Sequence, residues 1–266
     1  MTMILEIDAG NTRIKWRLRE PDKGLPGIIV AEGRVLARQP PSAVFAGLAD
    51  QFGSLPLTKI SRVLVASVRG EDFNTALSSL LVGNWALHPE YAVVTGACCG
   101  VVNGYAEPAR LGVDRWLAVV AAYCRIRDAC CVVDCGTTIT VDLVGAEGRH
   151  QGGYIVPGLQ LMRETLAGRS QALAVDPRDW GSVAPGTSTG AAIQNGILGM
   201  ALGFLRQVRQ QDEHTRYRWL LTGGDAQVLS PLLDWEHDLL HDLVLDGLAL
   251  AMLRPSGRGS SAQESL

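Results

Sequence analysis

The feature that most constrains the fold is a strand–turn–strand pattern that occurs twice in the chain. Residues 4–8 and 11–19 are strand-like runs on either side of a turn that begins at Asp8 and contains Gly10. Residues 130–134 and 137–145 repeat this pattern around Asp134 and Gly136. Each copy predicts two antiparallel strands joined by a tight turn. Because the copies are separated by about half the chain, we predict two related domains that face each other, each with one polar turn.

The atoms of these turns suit a phosphate-bearing ligand. Glycine lacks a Cβ, so we expect Gly10 and Gly136 to adopt positive φ and to let backbone N–H groups approach a ligand closely. Short polar side chains beside them complete a concave set of donors of the kind that holds phosphate oxygens; these are Asn11, Thr12, Thr137 and Thr138. An ionised Asp only accepts hydrogen bonds, which suits a hydrated cation. One such turn is ordinary hairpin chemistry, but two across a cleft would hold a nucleoside triphosphate and its metal from both sides.

Composition excludes several classes of function. The chain has 266 residues and is 47% hydrophobic, enough for a substantial core and too apolar for a disordered protein. A net charge of −3 gives no basic surface for nucleic acid. We also expect no signal peptide and no membrane segment. The six cysteines contain no C-x-x-C spacing, which favours reduced thiols in the cytoplasm over disulfides or a zinc site.

The remaining elements follow the same order in both halves. After three strands, helices and strands alternate, with predicted helices at about 43–52 and 72–82 in the first half. A long helix at about 112–127 follows, and the second half then has predicted helices at about 159–167, 188–210 and 242–253. Both halves therefore have three strands followed by alternating helices and strands. This order predicts an α/β protein with mixed sheets. The Gly/Ser-rich tail from Ser256 predicts disorder.

Two nucleotide-binding motifs are absent from the sequence. None of the three lysines, Lys15, Lys23 and Lys59, lies in a G-x-x-x-x-G-K-[ST] motif, so a P-loop is excluded. No G-x-G-x-x-G follows the first strand, which argues against a dinucleotide site.

Two other motifs match known sites only superficially. Residues 186–190 fit G-x-S-x-G, but no apolar strand precedes them as a hydrolase elbow requires. We therefore expect them to cap the following helix, with Thr189 exposed to substrate. His237 and His241 imitate a metalloprotease helix, but they lie where a strand gives way to a helix and need not share a face.

Two further motifs have the chemistry of a transfer reaction. Gly112–Trp116 opens a long helix, where an acidic residue is often only a favourable first-turn charge. Functionally, Asp114 would accept a proton from a hydroxyl nucleophile while Arg115 holds a substrate carboxylate through two hydrogen bonds. The run Thr222–Asp225 is either a tight strand-to-helix turn or a place where glycine lets the backbone lie against an adenosine.

Five motifs together resemble the type III pantothenate kinase family. They are Asp8–Lys15, Gly112–Trp116, Asp134–Thr138, Gly152–Gly158 and Leu221–Asp225. The resemblance implies membership of the actin, Hsp70 and sugar-kinase superfamily. It also implies two duplicated actin-like (ribonuclease H-like) domains with an interdomain cleft, which we place at residues 1–115 and 116–255, followed by a disordered tail at 256–266.

The resemblance also implies an activity and a set of site residues. The expected reaction is phosphorylation of pantothenate to 4′-phosphopantothenate with ATP and Mg²⁺, the first step of coenzyme A synthesis, in a cytoplasmic homodimer. ATP would contact Asp8, Ala9, Gly10, Asn11, Thr12, Arg13, Ile14, Lys15 and Thr137. Pantothenate would contact Tyr105, Gly112, Val113, Asp114, Arg115 and Thr189. Asp134 would bind a monovalent cation, K⁺ or NH₄⁺, and Asp114 would be the catalytic proton acceptor.

Three alternatives share these features. A different small-molecule kinase of the superfamily would accept another alcohol, and a phosphohydrolase would use the same turns to direct water. A non-catalytic accessory protein would keep only an ATP-binding shell.

Overall fold

The structure is a computed structural model that describes residues 2–22, 25–167, 180, 182–211 and 216–253. The chain divides into two compact units. The first consists of Met1–Val93 with Leu245–Leu266, and the second of Val94–Val244. In the described residues, no helix is long and apolar enough to cross a bilayer.

The first unit is a five-stranded sheet with two helices. Its strands are β1 (Met3–Ala9), β2 (Arg13–Asp22), β3 (Leu25–Leu36), β4 (Ile60–Ser67) and β5 (Pro89–Tyr91). Its helices are α1 (Pro41–Gly53) and α2 (Glu71–Trp85). Both helices carry buried apolar residues at every fourth position, which places those residues on one helical face; they are Val44, Leu48 and Phe52 in α1 and Phe73, Leu77 and Leu81 in α2. The two sets belong to one core with the apolar residues of β1, β2 and β4.

The second unit begins with a short hairpin and contains a second five-stranded sheet. Its elements are β6 (Ala97–Cys98), β7 (Val101–Val102), α3 (Val113–Ile126), β8 (Cys130–Cys135), β9 (Thr138–Val144), β10 (His150–Pro157), α4 (Leu159–Ala167), α5 (Thr189–Gln210), β11 (Arg218–Thr222), α6 (Ala226–Leu229) and β12 (His237–Leu239). The last helix, α7 (Leu243–Leu253), begins in the second unit and continues into the first. Every residue of α3 from Arg115 to Tyr123 is buried. A charged residue in such a helix must find a partner.

The two sheets have the same topology. The strand order is β3-β2-β1-β4-β5 in the first unit and β10-β9-β8-β11-β12 in the second. In each five-stranded sheet, the three strands that come first in the chain pair antiparallel, and the later two add in parallel. This match confirms the predicted α/β class with mixed sheets and the predicted duplication of the strand–turn–strand pattern.

The grouping of residues into units differs from the predicted division at residue 115. Residues 94–115 lie in the second unit, because β7 forms a bridge to Arg149 and α3 packs on β8 and β9. The described residues from Leu245 to Leu253 return to the first unit. Single-sequence patterns place elements but do not show which sheet a helix packs on. The predicted tail at 256–266 lies outside the described residues.

A buried charge cluster ties α7 to the first sheet. Glu6 on β1 is 0% exposed and lies directly opposite Arg17 on β2. Its carboxylate accepts hydrogen bonds from Nε of Arg17 and, at 2.9 Å, from Nε of Arg19. Nη1 of Arg17 also donates to Oδ1 of Asp246 in α7, at 2.7 Å. Both guanidinium groups are almost fully buried, so they depend on this carboxylate for compensation.

We predict that Glu6→Ala destabilises the protein by about 3–5 kcal/mol, because it leaves buried guanidinium charge without its partner. Urea unfolding of the purified chain measures the change. Glu107→Ala removes an exposed carboxylate that also pairs with an arginine, Arg110, and should change the free energy of unfolding by less than about 0.5 kcal/mol. Equal losses in the two variants would contradict the structural role of Glu6.

Candidate active site

The first polar turn lies between β1 and β2. Asp8 lies opposite Lys15 in the register of the two strands, and the N–H of Gly10 donates to the carbonyl of Arg13 at 3.1 Å. Gly10 does not adopt the positive φ that we expected. Glycine permits a positive φ but does not require one. A Cβ at this position would lie 3.0 Å from the Arg13 carbonyl oxygen, so close packing within the turn also favours glycine.

The residues predicted to contact ATP in this turn are not equally exposed. The side chains of Ala9 and Ile14 are 1% and 0% exposed and belong to the core. Only their backbone is therefore available to a ligand. Asn11 and Arg13 are exposed, whereas Asp8, Gly10, Thr12 and Lys15 are partly buried. The turn thus presents an amide and a guanidinium as its accessible polar side chains.

The second polar turn, between β8 and β9, is one residue shorter. Asp134 lies opposite Thr140, and the N–H of Gly136 donates to the carbonyl of Thr138 at 3.0 Å. Gly136 also lacks the expected positive φ. The carbonyl of Thr137 accepts a hydrogen bond from the N–H of Gly158 at 3.0 Å. The end of β10 therefore fixes the position of this turn.

Asp134 lies at the carboxyl end of β8, beside the carboxyl end of the parallel strand β11. In this register Asp134 is level with Thr222. Gly223 follows with a φ of +93°, and a Cβ there would lie 2.5 Å from Oδ1 of Asp134 and 2.4 Å from the Cys135 carbonyl oxygen. This glycine is therefore required by both its conformation and its surroundings. Carboxyl ends of parallel strands are where α/β folds bind ligands.

Asp114 lies in the first turn of α3. Its Oδ1 accepts a hydrogen bond from the backbone N–H of Arg115 at 2.8 Å. Burial raises the pKa of Asp114, against the opposing effects of the Arg115 N–H and charge, and the charge of Asp142 raises it further. A Cβ at residue 112 would lie 2.6 Å from this same oxygen, so Gly112 leaves room for the carboxylate.

The guanidinium of Arg115, which we predicted to hold a substrate carboxylate, instead pairs with a carboxylate of the chain itself. Its Nε and Nη2 donate to the two carboxylate oxygens of Asp142, at 2.9 and 2.6 Å. Its Nη1 donates to the hydroxyl of Tyr105 at 2.9 Å. Both charged groups are buried, with Arg115 7% and Asp142 2% exposed. The paired geometry reflects the cost of leaving a buried guanidinium without a carboxylate.

His150 completes this network at the start of β10. Its Nε2 lies 2.9 Å from Oδ1 of Asp142, and its ring stacks on that of Tyr105 with centroids 5.8 Å apart. The backbone before Tyr105 lies very close to the backbone of His150, since a Cβ on Gly104 would lie 1.9 Å from the His150 carbonyl oxygen. Neither Asp142 nor His150 was predicted from the sequence as part of the site. The available signal was an aspartate at a buried position in the apolar strand 138–144.

The superficial motifs have structural roles. Oγ of Ser188 caps α5 by accepting a hydrogen bond from the N–H of Ala191 at 3.2 Å, as predicted, and Thr189 begins that helix. His237 lies on β12, where its Nε2 is 2.7 Å from Oγ of Ser230 and its Nδ1 is 2.7 Å from the Trp235 carbonyl oxygen. In the part of the chain that is described, no group of three His, Cys, Asp or Glu residues is arranged to hold a metal.

The family model and the curated relatives that match this chain all name one family. A model of the type III pantothenate kinase family matches residues 4–211. The type III pantothenate kinase of Pseudomonas putida is 37% identical over 259 residues, which cover 94% of this chain and 98% of the relative. The enzyme of that name from Azotobacter vinelandii is also 37% identical and covers 96% and 100% of the two chains. That of Chromohalobacter salexigens is 40% identical, over 92% of this chain and 86% of the relative.

Comparisons with solved structures bear on the fold. The ethanolamine utilization protein EutJ from Carboxydothermus hydrogenoformans aligns with a TM-score of 0.53 at 15% identity, over 96% of this chain and 90% of that one. A Campylobacter jejuni protein described as a Baf family transcriptional activator aligns with a TM-score of 0.51 at 21% identity, over 92% and 94%. At such identities the likeness shows the fold alone, and it agrees with the predicted actin-like architecture.

Proposed function

The chain belongs to the type III pantothenate kinase family, and from this premise we propose which of its residues perform the reaction. The family membership rests on a model match over residues 4–211 and on relatives that align over nearly the full length. The chain is therefore a pantothenate kinase, which transfers a phosphoryl group from ATP to pantothenate in coenzyme A biosynthesis.

We propose Asp114 as the proton acceptor. The hydroxyl of pantothenate is a weak nucleophile, and a carboxylate within hydrogen-bond reach can orient it and take its proton as the phosphoryl group transfers. A base works best when its pKa lies near the working pH. Burial moves the pKa of Asp114 in that direction, and this is the observation that most supports the assignment.

Arg115 is assigned a positioning role instead of the substrate-anchoring role expected from sequence. Its guanidinium is held by Asp142 and Tyr105, and its backbone N–H donates to Asp114. The buried pair fixes the first turn of α3, and that turn aims the Asp114 carboxylate. Tyr105, Gly112 and Val113 lie in or beside this network and remain the proposed pantothenate contacts, together with Thr189 at the start of α5.

ATP is proposed to contact the two polar turns. In the first turn, Asn11, Thr12, Arg13 and Lys15 contribute polar side chains, while Ala9, Gly10 and Ile14 contribute backbone; Thr137 belongs to the second turn. The kinase family implies a divalent metal as well. Mg²⁺ is typically held by substrate phosphates, waters and one or two carboxylates, which fits a chain whose turns each supply a single Asp. When bound, Mg²⁺ would neutralise phosphate charge beside Asp8.

Asp134 is proposed to bind a monovalent cation, K⁺ or NH₄⁺. Its Oδ1 and the Cys135 carbonyl oxygen both lie against Gly223. This set contains one carboxylate and a backbone carbonyl. Oxygen donors of this kind suit a hard cation of low charge better than they suit a transition metal.

We further propose a cytoplasmic homodimer. Tyr154 and Ile155 on the edge strand β10 are 41% and 59% exposed, and Met200 on α5 is 65% exposed, so both elements present apolar side chains to solvent. All six cysteines are in described positions and carry free thiols, which is the state that cytoplasmic reductants maintain. Sedimentation of the purified chain as a monomer would contradict the dimer.

We predict that Asp114→Asn lowers kcat by about 10²–10⁴-fold, the usual contribution of a positioned base. An ATP-and-pantothenate assay measures the loss, and thermal unfolding with ATP titration should show an intact fold and little change in ATP binding. The matched control is Asp128→Asn, an exposed aspartate beyond the other end of the same helix, which should retain normal turnover. Near-normal kcat in the Asp114 variant would remove the assigned base.

The raised pKa of Asp114 also sets a pH dependence. Only the ionised carboxylate accepts a proton, so kcat should fall as the pH falls through a value above the ordinary aspartate range. The Asp142→Asn variant loses the negative charge that raises the pKa of Asp114 but keeps the positive charge of Arg115 that lowers it. The pKa of Asp114 should therefore fall. The acid limb of the kcat profile should then move to lower pH. An acid limb at the same pH in both proteins would show that Asp142 does not act on the base.

We predict that Asp134→Asn abolishes activation by K⁺. The wild-type rate should be higher in KCl than in an equal concentration of a bulky organic chloride, and the variant should be slow in both, by about tenfold or more if ligand loss resembles that at other metal sites. A variant that still responds fully to K⁺ would place the cation elsewhere.

A further inference from the structure

Two adjacent cysteines lie at the tip of the β6–β7 hairpin. Cys98 ends β6 and is paired with Val101 on β7, so Cys99 and Gly100 form a two-residue turn. The Sγ atoms of Cys98 and Cys99 are 3.6 Å apart. Both side chains are partly exposed. This thiol pair is therefore accessible from solvent and has no role in the reaction assigned above.

The backbone at the tip is unusual for a cysteine. Cys99 has a φ of +52° and Gly100 a φ of +90°, as a type I′ hairpin turn requires at both of its central positions. Asn, Asp and Gly are the residues that this turn favours. A cysteine there is held in a left-handed conformation that it adopts reluctantly, and such strain tends to be kept at sites with a function.

The elements around the tip hold the pair in place. Nη1 of Arg127, just after α3, donates to the Cys99 carbonyl oxygen at 3.2 Å. The Sγ of Cys124 lies 3.6 Å from the same oxygen. The N–H of Val102 donates to the carbonyl of Gly148 at 3.0 Å, which ties the hairpin to the β9–β10 connection. The two sulfurs are thus already in contact on a hairpin that is anchored from two sides.

We propose that Cys98 and Cys99 form an oxidation site that closes reversibly to a disulfide when it reacts with a hydroperoxide. One thiol sulfur attacks a peroxide oxygen, the O–O bond breaks, and the thiol becomes a sulfenic acid. The rest of the peroxide leaves as an alcohol, or as water if the oxidant is hydrogen peroxide. The second thiol displaces the hydroxyl of the sulfenic acid, which forms the S–S bond and releases water. The two thiols lose two electrons and two protons in total, and the peroxide accepts both.

The disulfide formed here would be easily reduced. Adjacent Cα atoms are about 3.8 Å apart across a trans peptide, which is closer than the spacing of ordinary disulfides. Strained and exposed disulfides are the ones that reductants open readily. A dithiol reductant should therefore restore both thiols.

The chain contains a matched internal control. Cys130 and Cys131 are also adjacent, but both are 0% exposed. They lie in strand β8, where successive side chains point to opposite faces. Burial, with a smaller effect from Asp128, raises the pKa of the Cys130 thiol to about 12. These two thiols have neither access to peroxide nor a route to each other.

The experiment is peroxide treatment of the folded full chain, removal of the peroxide, alkylation in denaturant so that buried thiols also react, and peptide mapping without reductant. Trypsin separates the three groups of thiols, because residues 70–110 contain only Cys98 and Cys99, residues 116–125 only Cys124, and residues 128–149 the other three. We expect the first peptide to lose two hydrogen atoms and to resist alkylation at both cysteines. Dithiothreitol should reverse the change, and the peptide 128–149 should stay fully alkylated.

Single variants complete the test. Cys98→Ser and Cys99→Gly should each abolish the disulfide, and the second keeps a residue suited to the turn, so misfolding does not explain its effect. Cys124→Ser should leave the disulfide intact. A cross-link between peptides 70–110 and 116–125, or peroxide-treated protein in which Cys98 and Cys99 both remain alkylatable, would overturn the proposal.

Discussion

The buried pairing of Arg115 with Asp142 is the interaction on which the proposed acceptor site depends. Arg115 lies in a helix whose residues are buried for more than two consecutive turns, so its charge cannot reach bulk water. Two hydrogen bonds to one carboxylate compensate that charge and fix the helix start against β9. Breaking such a pair from one side costs about 3–5 kcal/mol. Asp114 is the neighbouring residue, so its orientation follows from this pair.

The two units share one sheet topology, but the polar turn between β1 and β2 differs chemically from the one between β8 and β9. In the first unit Asp8 lies opposite a lysine, and the turn exposes an amide and a guanidinium. In the second, Asp134 lies opposite a threonine and beside a glycine that has no room for a side chain. The same strand pairing thus supports a cationic, donor-rich turn in one copy and an oxygen-rich, crowded turn in the other.

Much of this could be predicted from sequence, and the failures have physical causes. The two hairpins and the succession of strands and helices along the chain follow from local patterns that occur in both halves, and the start of the Asp114 helix follows from the local pattern at residues 112–116. The partner of Arg115 does not, because Asp142 is 27 residues away and only pairing of the folded strands brings it near. The expected positive φ at Gly10 and Gly136 was wrong because glycine permits that conformation without requiring it, and both turns close with a φ outside that region. The grouping of residues 94–115 with the second unit depends on long-range packing, which local sequence patterns do not show.

The contact between Gly104 and His150 affects how the site tolerates sequence change. The loop before Tyr105 meets the β9–β10 hairpin main chain to main chain, since even one added carbon on Gly104 would overlap the His150 carbonyl oxygen. The loop is therefore located by backbone atoms that every amino acid shares. The residues next to Gly104 can therefore be substituted during evolution without moving Tyr105. Gly104 itself cannot be substituted, because every other amino acid is larger.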